Sequence, residues 1–181
     1  MKILILSLLF VSTNLYGLDA EAIKKIADEP HNRENLVNEL KIYPDAREYK
    51  IKVQSGKSTD ALEDGPEIVA KEKTVQGRYI VSHVKFPNVE NPMIMVVAYE
   101  KKSDTFKKWV LLPNGIVGSS TGVANLSKRT IAWISDKPHG VPPITVLSVE
   151  SHSDEKSSWK ETFIQDGRIV SISQGEAVKT K

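Results

Sequence analysis

The chain of 181 residues contains no cysteine. This absence excludes disulfides, zinc–thiolate sites, thiol catalysis and a lipid anchor attached through cysteine. A formal net charge of only +2 lacks the strongly basic or acidic balance that nucleic-acid or charged-surface partners require. No apolar run approaches the roughly 20 residues that a membrane-spanning helix needs. We therefore expect no nucleic-acid partner and no membrane span.

Motifs of catalysis and metal binding are also missing. No HxH, HExxH or EF-hand pattern occurs, and the four histidines (His31, His83, His139, His152) have no metal-ligand spacing. The GSSTG run at residues 118–122 reads as part of a strand and not as the strand-to-helix turn that carries a catalytic serine. The sequence assigns no catalytic residue, no metal and no cofactor. It favours a binding protein over an enzyme.

Residues 1–20 have the anatomy of a secretory signal peptide. Lys2 supplies the positive start, residues 3–11 form a short apolar stretch, and a more polar stretch ends at Gly17. Cleavage is expected after Gly17 or Ala20. The leader predicts an exported protein, periplasmic or secreted.

Residues 21–45 form a short N-terminal helical segment. Asp19 is a candidate N-cap, and Ala22, Ile23, Ile26 and Ala27 make one apolar side. After Pro30 a second short helix is predicted over residues 32–41. The segment is expected to be a plug or lid over one end of the following domain, or a mobile arm.

Residues 46–181 read as one all-β domain in which short strands alternate with turns. Val, Ile, Thr, Tyr and Trp are frequent between turn signals such as Gln76-Gly77 and Asp166-Gly167. A polar loop is predicted over residues 55–66. Strands are expected near residues 47–54, 68–75, 78–86, 93–100, 105–112, 116–123, 129–134, 144–152, 157–164 and 168–174. An antiparallel up-and-down meander of this length closes into a lipocalin-like barrel.

Three segments resemble a known bacterial family. They are the Gly77–Phe86 strand, the hairpins from Tyr99 to Gly122 with Phe106 and Trp109, and the final SSWKETFIQDGRIV. Over residues 46–178 the chain resembles the family catalogued as domain of unknown function 1579. The resemblance implies a lipocalin-like barrel and no catalytic residues.

Candidate ligand-binding residues are the polar and aromatic side chains that strands or rim loops can direct toward a barrel interior. His83 lies in mid-strand and His139 lies in a proline-rich rim loop. Three tryptophans fall on three different predicted strands, and Glu161 shares a face with the last of them. The candidates are His83, Trp109, Trp133, His139, Trp159 and Glu161. The run from Gly118 to Gly122 reads as a strand bend or a closely approached barrel wall.

Three functional hypotheses follow. The first is an exported barrel that binds a small apolar molecule in its interior. The second is a structural or protein-interaction module of the cell envelope, acting through a strand edge or the loop at residues 136–143. The third is a barrel-lumen enzyme, with His83 facing Glu161, or a haem-binding protein that uses His83 or His139.

Overall fold

The structure is a computed structural model that describes residues 17–45, 47–137 and 143–180. Residues 1–16 of the predicted signal peptide and residues 138–142 of the predicted loop, which include His139, lie outside the described residues. Within them, no helix is both long and apolar enough to cross a membrane.

The described chain has one α-helix, one 3-10 helix and eleven strands. The helix α1 is Ala20–Asp28, and the 3-10 helix is Asn38–Ile42. The strands are β1 Glu48–Gly56, β2 Leu62–Asp64, β3 Ile68–Val75, β4 Tyr79–Lys85, β5 Met93–Glu100, β6 Thr105–Leu111, β7 Val117–Asn125, β8 Thr130–Ser135, β9 Thr145–His152, β10 Lys156–Gln165 and β11 Arg168–Lys179.

The strands form an antiparallel meander that closes on itself. From β3 to β11 each strand pairs with the next in sequence, and β1 pairs with both β3 and β11. The closing β1–β11 ladder runs from Tyr49 opposite Lys179 to Gly56 opposite Ile172. This ten-strand barrel confirms the predicted lipocalin-like all-β fold. Closure satisfies the backbone hydrogen bonds that an open sheet would leave at its edges.

Two local predictions were wrong. The polar loop predicted at residues 55–66 contains β2, which pairs with the end of β1 through Gln54–Asp64 and Gly56–Leu62. The second N-terminal helix is reduced to the 3-10 helix. Asn35 has a φ of 59°, a left-handed conformation that a right-handed helix does not accommodate.

Helix α1 lies against the outer wall of the barrel. Asp19 caps it by accepting a hydrogen bond of 2.8 Å from the Ala22 amide, as the sequence predicts. The helix buries Ile23 and Ala27 against outward-facing side chains of β4, β5 and β6. Trp109 belongs to this outer cluster and is only 2% exposed. The outer wall under α1 is therefore a second hydrophobic core.

Residues 36–43, which we call the plug segment, close one end of the barrel. Leu36, Leu40 and Ile42 pack among inward-facing side chains that include Phe106 and Trp133. Arg129, in the turn between β7 and β8, donates from Nε (3.1 Å) and Nη2 (3.0 Å) to the Ile42 carbonyl. The plug segment covers part of the interior and leaves the rest as a cavity.

Candidate functional site

A cavity of about 360 Å³ lies inside the barrel. Its volume is within the range of small-molecule sites in proteins. Strands β1, β3, β4, β5, β9, β10 and β11 line it, and Tyr43 of the plug segment contributes to its inner end. The cavity is therefore the lumen of the barrel beyond the plug.

Much of the cavity wall is apolar. Period-two alternation along each strand turns one hydrophobic set inward. The apolar lining consists of Ile51, Val53, Ile68, Ala70, Val84, Phe86, Met93, Met95, Trp159 and Ala177. Most of these side chains form one packed cluster with Tyr49. This wall suits the apolar body of a small molecule.

The floor of the cavity contains a buried ion pair. Lys108 on β6 donates from Nζ to Glu150 Oε1 on β9 at 2.7 Å, and both side chains are less than 15% exposed. The Tyr43 hydroxyl donates to Glu150 Oε2 at 3.4 Å. Burial opposes ionisation, but the Lys108 ammonium and His152 together outweigh it and lower the pKa of Glu150 to about 2. Glu150 is therefore a carboxylate at neutral pH.

Glu72 on β3 has no such cation. It accepts a hydrogen bond of 3.0 Å from the Ser82 hydroxyl, and its accessible surface faces the cavity. Burial raises the pKa of Glu72 to about 8, although the bond from Ser82 favours the ionised form. Tyr49 interacts electrostatically with this carboxyl, and burial raises the pKa of Tyr49 further above its ordinary value. At neutral pH Glu72 is mostly protonated.

His152 and Tyr49 direct polar atoms into the cavity without a partner. The Nδ1 atom of His152 lies 2.8 Å from Ser157 Oγ. Its Nε2 atom lies 3.7 Å from Glu150 Oε2, too far for a hydrogen bond. Among the described residues, the buried His152 Nε2, the Tyr49 hydroxyl and Trp133 Nε1 all lack a hydrogen-bond partner. Tyr49 and His152 line the cavity and are 4% and 8% exposed.

Trp159 lies flat along the cavity wall because the neighbouring strand has a glycine. Gly175 on β11 pairs directly with Trp159 on β10. A Cβ atom at Gly175 would come within 2.4 Å of Trp159 Cζ2, far inside van der Waals contact. Glu161, two residues further along β10, also lines the cavity. Burial raises the pKa of Glu161.

The structure places the predicted site residues in different parts of the molecule. Trp159 and Glu161 line the cavity. Trp133 points into the barrel at the plug segment, with Lys108 Nζ 4.5 Å from its ring centroid. Trp109 lies under α1 on the outer wall. His139 lies outside the described residues.

The prediction that His83 faces Glu161 was wrong. Ser82 and Val84 on β4 line the cavity, so His83 between them faces outward. It lies near the end of α1, where burial and the charge of Lys73 lower its pKa. A catalytic pair of His83 and Glu161, or a lumenal haem bound by His83, is incompatible with this placement.

The sequence reasoning missed most of the polar lining. Tyr43, Tyr49, Glu72, Ser82, Glu150 and His152 were not among its candidates, nor was Lys108, which pairs with Glu150 behind the lining. The alternation along the strands contains a signal that identifies some of these residues. Glu72 follows Ile68 and Ala70 at period two, so a carboxyl occupies a face that is otherwise apolar. Glu150 and His152 likewise share the inward face of β9 with the buried Ser148.

Within residues 17–45, 47–137 and 143–180, no group of three or more histidine, aspartate or glutamate side chains is arranged to hold a metal ion. Comparison of the chain with protein-family models and with curated proteins found no match. The site must therefore be interpreted from its own chemistry.

Proposed function

We propose that the protein binds a small molecule in the barrel cavity. The observation that supports this most directly is the combination of a ligand-sized cavity with an apolar wall and buried polar atoms of Tyr49 and His152 that meet no hydrogen-bond partner at normal distance among the described residues. Buried polar atoms cost free energy unless they are hydrogen-bonded. A molecule with an apolar body and a polar group would satisfy both surfaces.

This proposal differs in one respect from the sequence-based expectation of a mostly apolar ligand. Three carboxyl groups, from Glu72, Glu150 and Glu161, line the cavity together with His152. A purely apolar molecule would leave Glu72 and Glu161, which form no salt bridge among the described residues, desolvated without a polar partner from the ligand. We therefore propose an amphipathic molecule.

Two further proposals concern the context of the protein. The apolar leader at residues 3–11 supports export to a periplasmic or extracellular compartment. Membership of the family called domain of unknown function 1579 stays a prediction based on the sequence resemblance. Both are independent of the cavity chemistry.

The cavity proposal can be tested with a neutral fluorescent probe, N-phenyl-1-naphthylamine. Ala70 lines the cavity and is 4% exposed, so Ala70→Leu fills part of it. Val69 is 38% exposed and points outward, so Val69→Leu is a matched control on the same strand. We expect the wild type to bind the probe with a blue-shifted emission.

Ala70→Leu should weaken that binding at least about tenfold, while Val69→Leu should leave it within about twofold. Near-ultraviolet circular dichroism checks that both variants are folded, because overpacking a core costs about 1–3 kcal/mol. Equal probe binding by the two variants would place the bound probe outside the barrel and refute the proposal.

A further inference from the structure

The cavity lining contains acidic side chains but no lysine or arginine among the described residues. Its acidic residues are Glu72, Glu150 and Glu161. Lys108 forms its 2.7 Å ion pair with Glu150. Glu72 and Glu161 therefore form no salt bridge within the described part of the chain.

Trp159, the aromatic side chain next to these carboxyls, also favours a positively charged ligand. Trp159 presents its ring to the cavity between the register positions of Ser157 and Glu161. The faces of aromatic rings attract cations, and carboxylates pair with them. An anionic group would instead lie near the Glu150 carboxylate and would find no lysine or arginine among the described lining residues to pair with it.

We infer that the cavity takes an organic cation, an amine with an apolar body, whose charged group lies among the carboxyl groups of Glu72, Glu150 and Glu161. This inference rests on the proposed function, since it identifies the chemical class of the molecule in the same cavity. The apolar chain would occupy the wall of Ile51, Val84 and Phe86. The Tyr49 hydroxyl oxygen would accept one of the remaining N–H bonds of the ammonium group.

Binding would be coupled to proton release. Burial keeps Glu72 mostly protonated in the unliganded protein at neutral pH, and an entering ammonium group favours the ionised carboxylate.

The titratable and charged groups that act on Glu72 come from several elements of the barrel and the N-terminal segment. They are Tyr49 of β1, Glu150 of β9, Tyr43 of the plug segment and Arg33 before it. Glu161 of β10 and Lys108 of β6 also interact electrostatically with Glu150. The affinity for a cation should therefore rise with pH from about 6 to 8.

The test is a calorimetric titration with three molecules of equal chain length, namely octylamine, octan-1-ol and sodium octanoate. At pH 7.5 we expect octylammonium to bind at least about tenfold more tightly than either of the others. Titration in two buffers of different ionisation enthalpy should reveal a released proton. Glu72→Gln and Glu161→Gln should each weaken octylammonium binding by about tenfold or more and change octanol binding by less than about threefold. Retained octanol binding in the variants also shows that they are folded.

The outcomes separate the two proposals. If octanol or octanoate binds as well as octylammonium and Ala70→Leu weakens all of them, the cation inference is wrong and the cavity proposal stands. If the carboxyl variants bind octylammonium like the wild type, the inference is also wrong. If none of the three binds the wild-type protein at millimolar concentration, both proposals are refuted.

Discussion

At the scale of single residues, two glutamates in one lumen have opposite proton affinities. Lys108 holds Glu150 ionised with a pKa of about 2, whereas burial without a cation raises the pKa of Glu72 to about 8. The difference arises from the partner, because both side chains are enclosed by the same barrel. Such a pair gives the cavity one fixed negative charge, balanced by Lys108, and one carboxyl that can change its charge.

Glu72 should make the free energy of unfolding depend on pH. Its pKa is about 8 in the folded protein against an ordinary 4.5, so between these values the folded state holds a proton that the unfolded state has released. The stabilisation is complete below pH 4.5 and is lost as the pH rises toward 8, with a slope of up to about 1.4 kcal/mol per pH unit. Denaturant unfolding of wild type and Glu72→Gln at pH 5, 6.5 and 8 measures it. We expect the variant to gain stability relative to wild type as pH rises.

The exposed Glu90 provides a control for this measurement. Glu90→Gln should leave the wild-type pH dependence unchanged. If Glu72→Gln and the wild type have parallel stability curves from pH 5 to 8, then Glu72 does not hold a proton in this range.

At the scale of strands, glycines determine where the tryptophans fit. Gly122 on β7 pairs with Trp133 on β8, just as Gly175 pairs with Trp159. A Cβ atom at Gly122 would lie 2.5 Å from Trp133 Cε3. The two large rings lie along the barrel wall because the adjacent strand has no side chain there. The closely approached wall predicted for the Gly118–Gly122 run is present at Gly122.

Gly122→Ala should therefore destabilise the barrel. The new methyl group must displace the Trp133 ring, which is 3% exposed and packed against Phe106 in an edge-to-face contact with a centroid distance of 6.4 Å. We expect a loss of about 1–3 kcal/mol in the free energy of unfolding and a changed near-ultraviolet signal from tryptophan. Val123→Ala, on the 64% exposed outer face of the same strand, should change stability by less than about 0.5 kcal/mol. Similar stability of the two variants would show that the ring moves without cost.

At the scale of the whole molecule, the barrel has two hydrophobic regions on opposite sides of its wall. Helix α1 covers the outer one with Ile23, and the plug segment fills part of the inner one with Leu40. Both elements come from the short stretch before β1. This stretch decides how much of the lumen remains open, because the residues it covers would otherwise extend the cavity.

Replacing Leu40 should show the importance of the plug segment. Leu40 is fully buried among Phe106, Ile131 and Trp133, so Leu40→Ala should cost about 2–5 kcal/mol through lost burial and a new void. The exposed neighbour Lys41 serves as a comparison, and Lys41→Ala should cost less than about 1 kcal/mol. Hydrogen exchange of the amides in β6 and β8 should accelerate in Leu40→Ala alone. Unchanged exchange and stability would show that the plug segment is dispensable.

The sequence by itself determined the strands of the meander, apart from β2, and the cap of α1. These features depend on local patterns, namely alternation along each strand, turn residues between strands and an aspartate before an apolar helical stripe. The predicted strand near residues 68–75 coincides with β3, and Asp19 caps α1 as expected. Local geometry suffices for such features because each involves residues close together in the chain.

Only the tertiary structure decided which face of each strand points inward and which polar groups meet there. Trp109 and Trp133 both lie on strands with alternating patterns, yet one packs under α1 outside the barrel and the other lies inside it. Alternation cannot distinguish these faces when a helix buries the outer one as well. The meeting of Glu72, Glu150 and His152 likewise depends on barrel closure, because Glu72 and Glu150 lie about 80 residues apart in the chain and share one lumen only in the closed barrel.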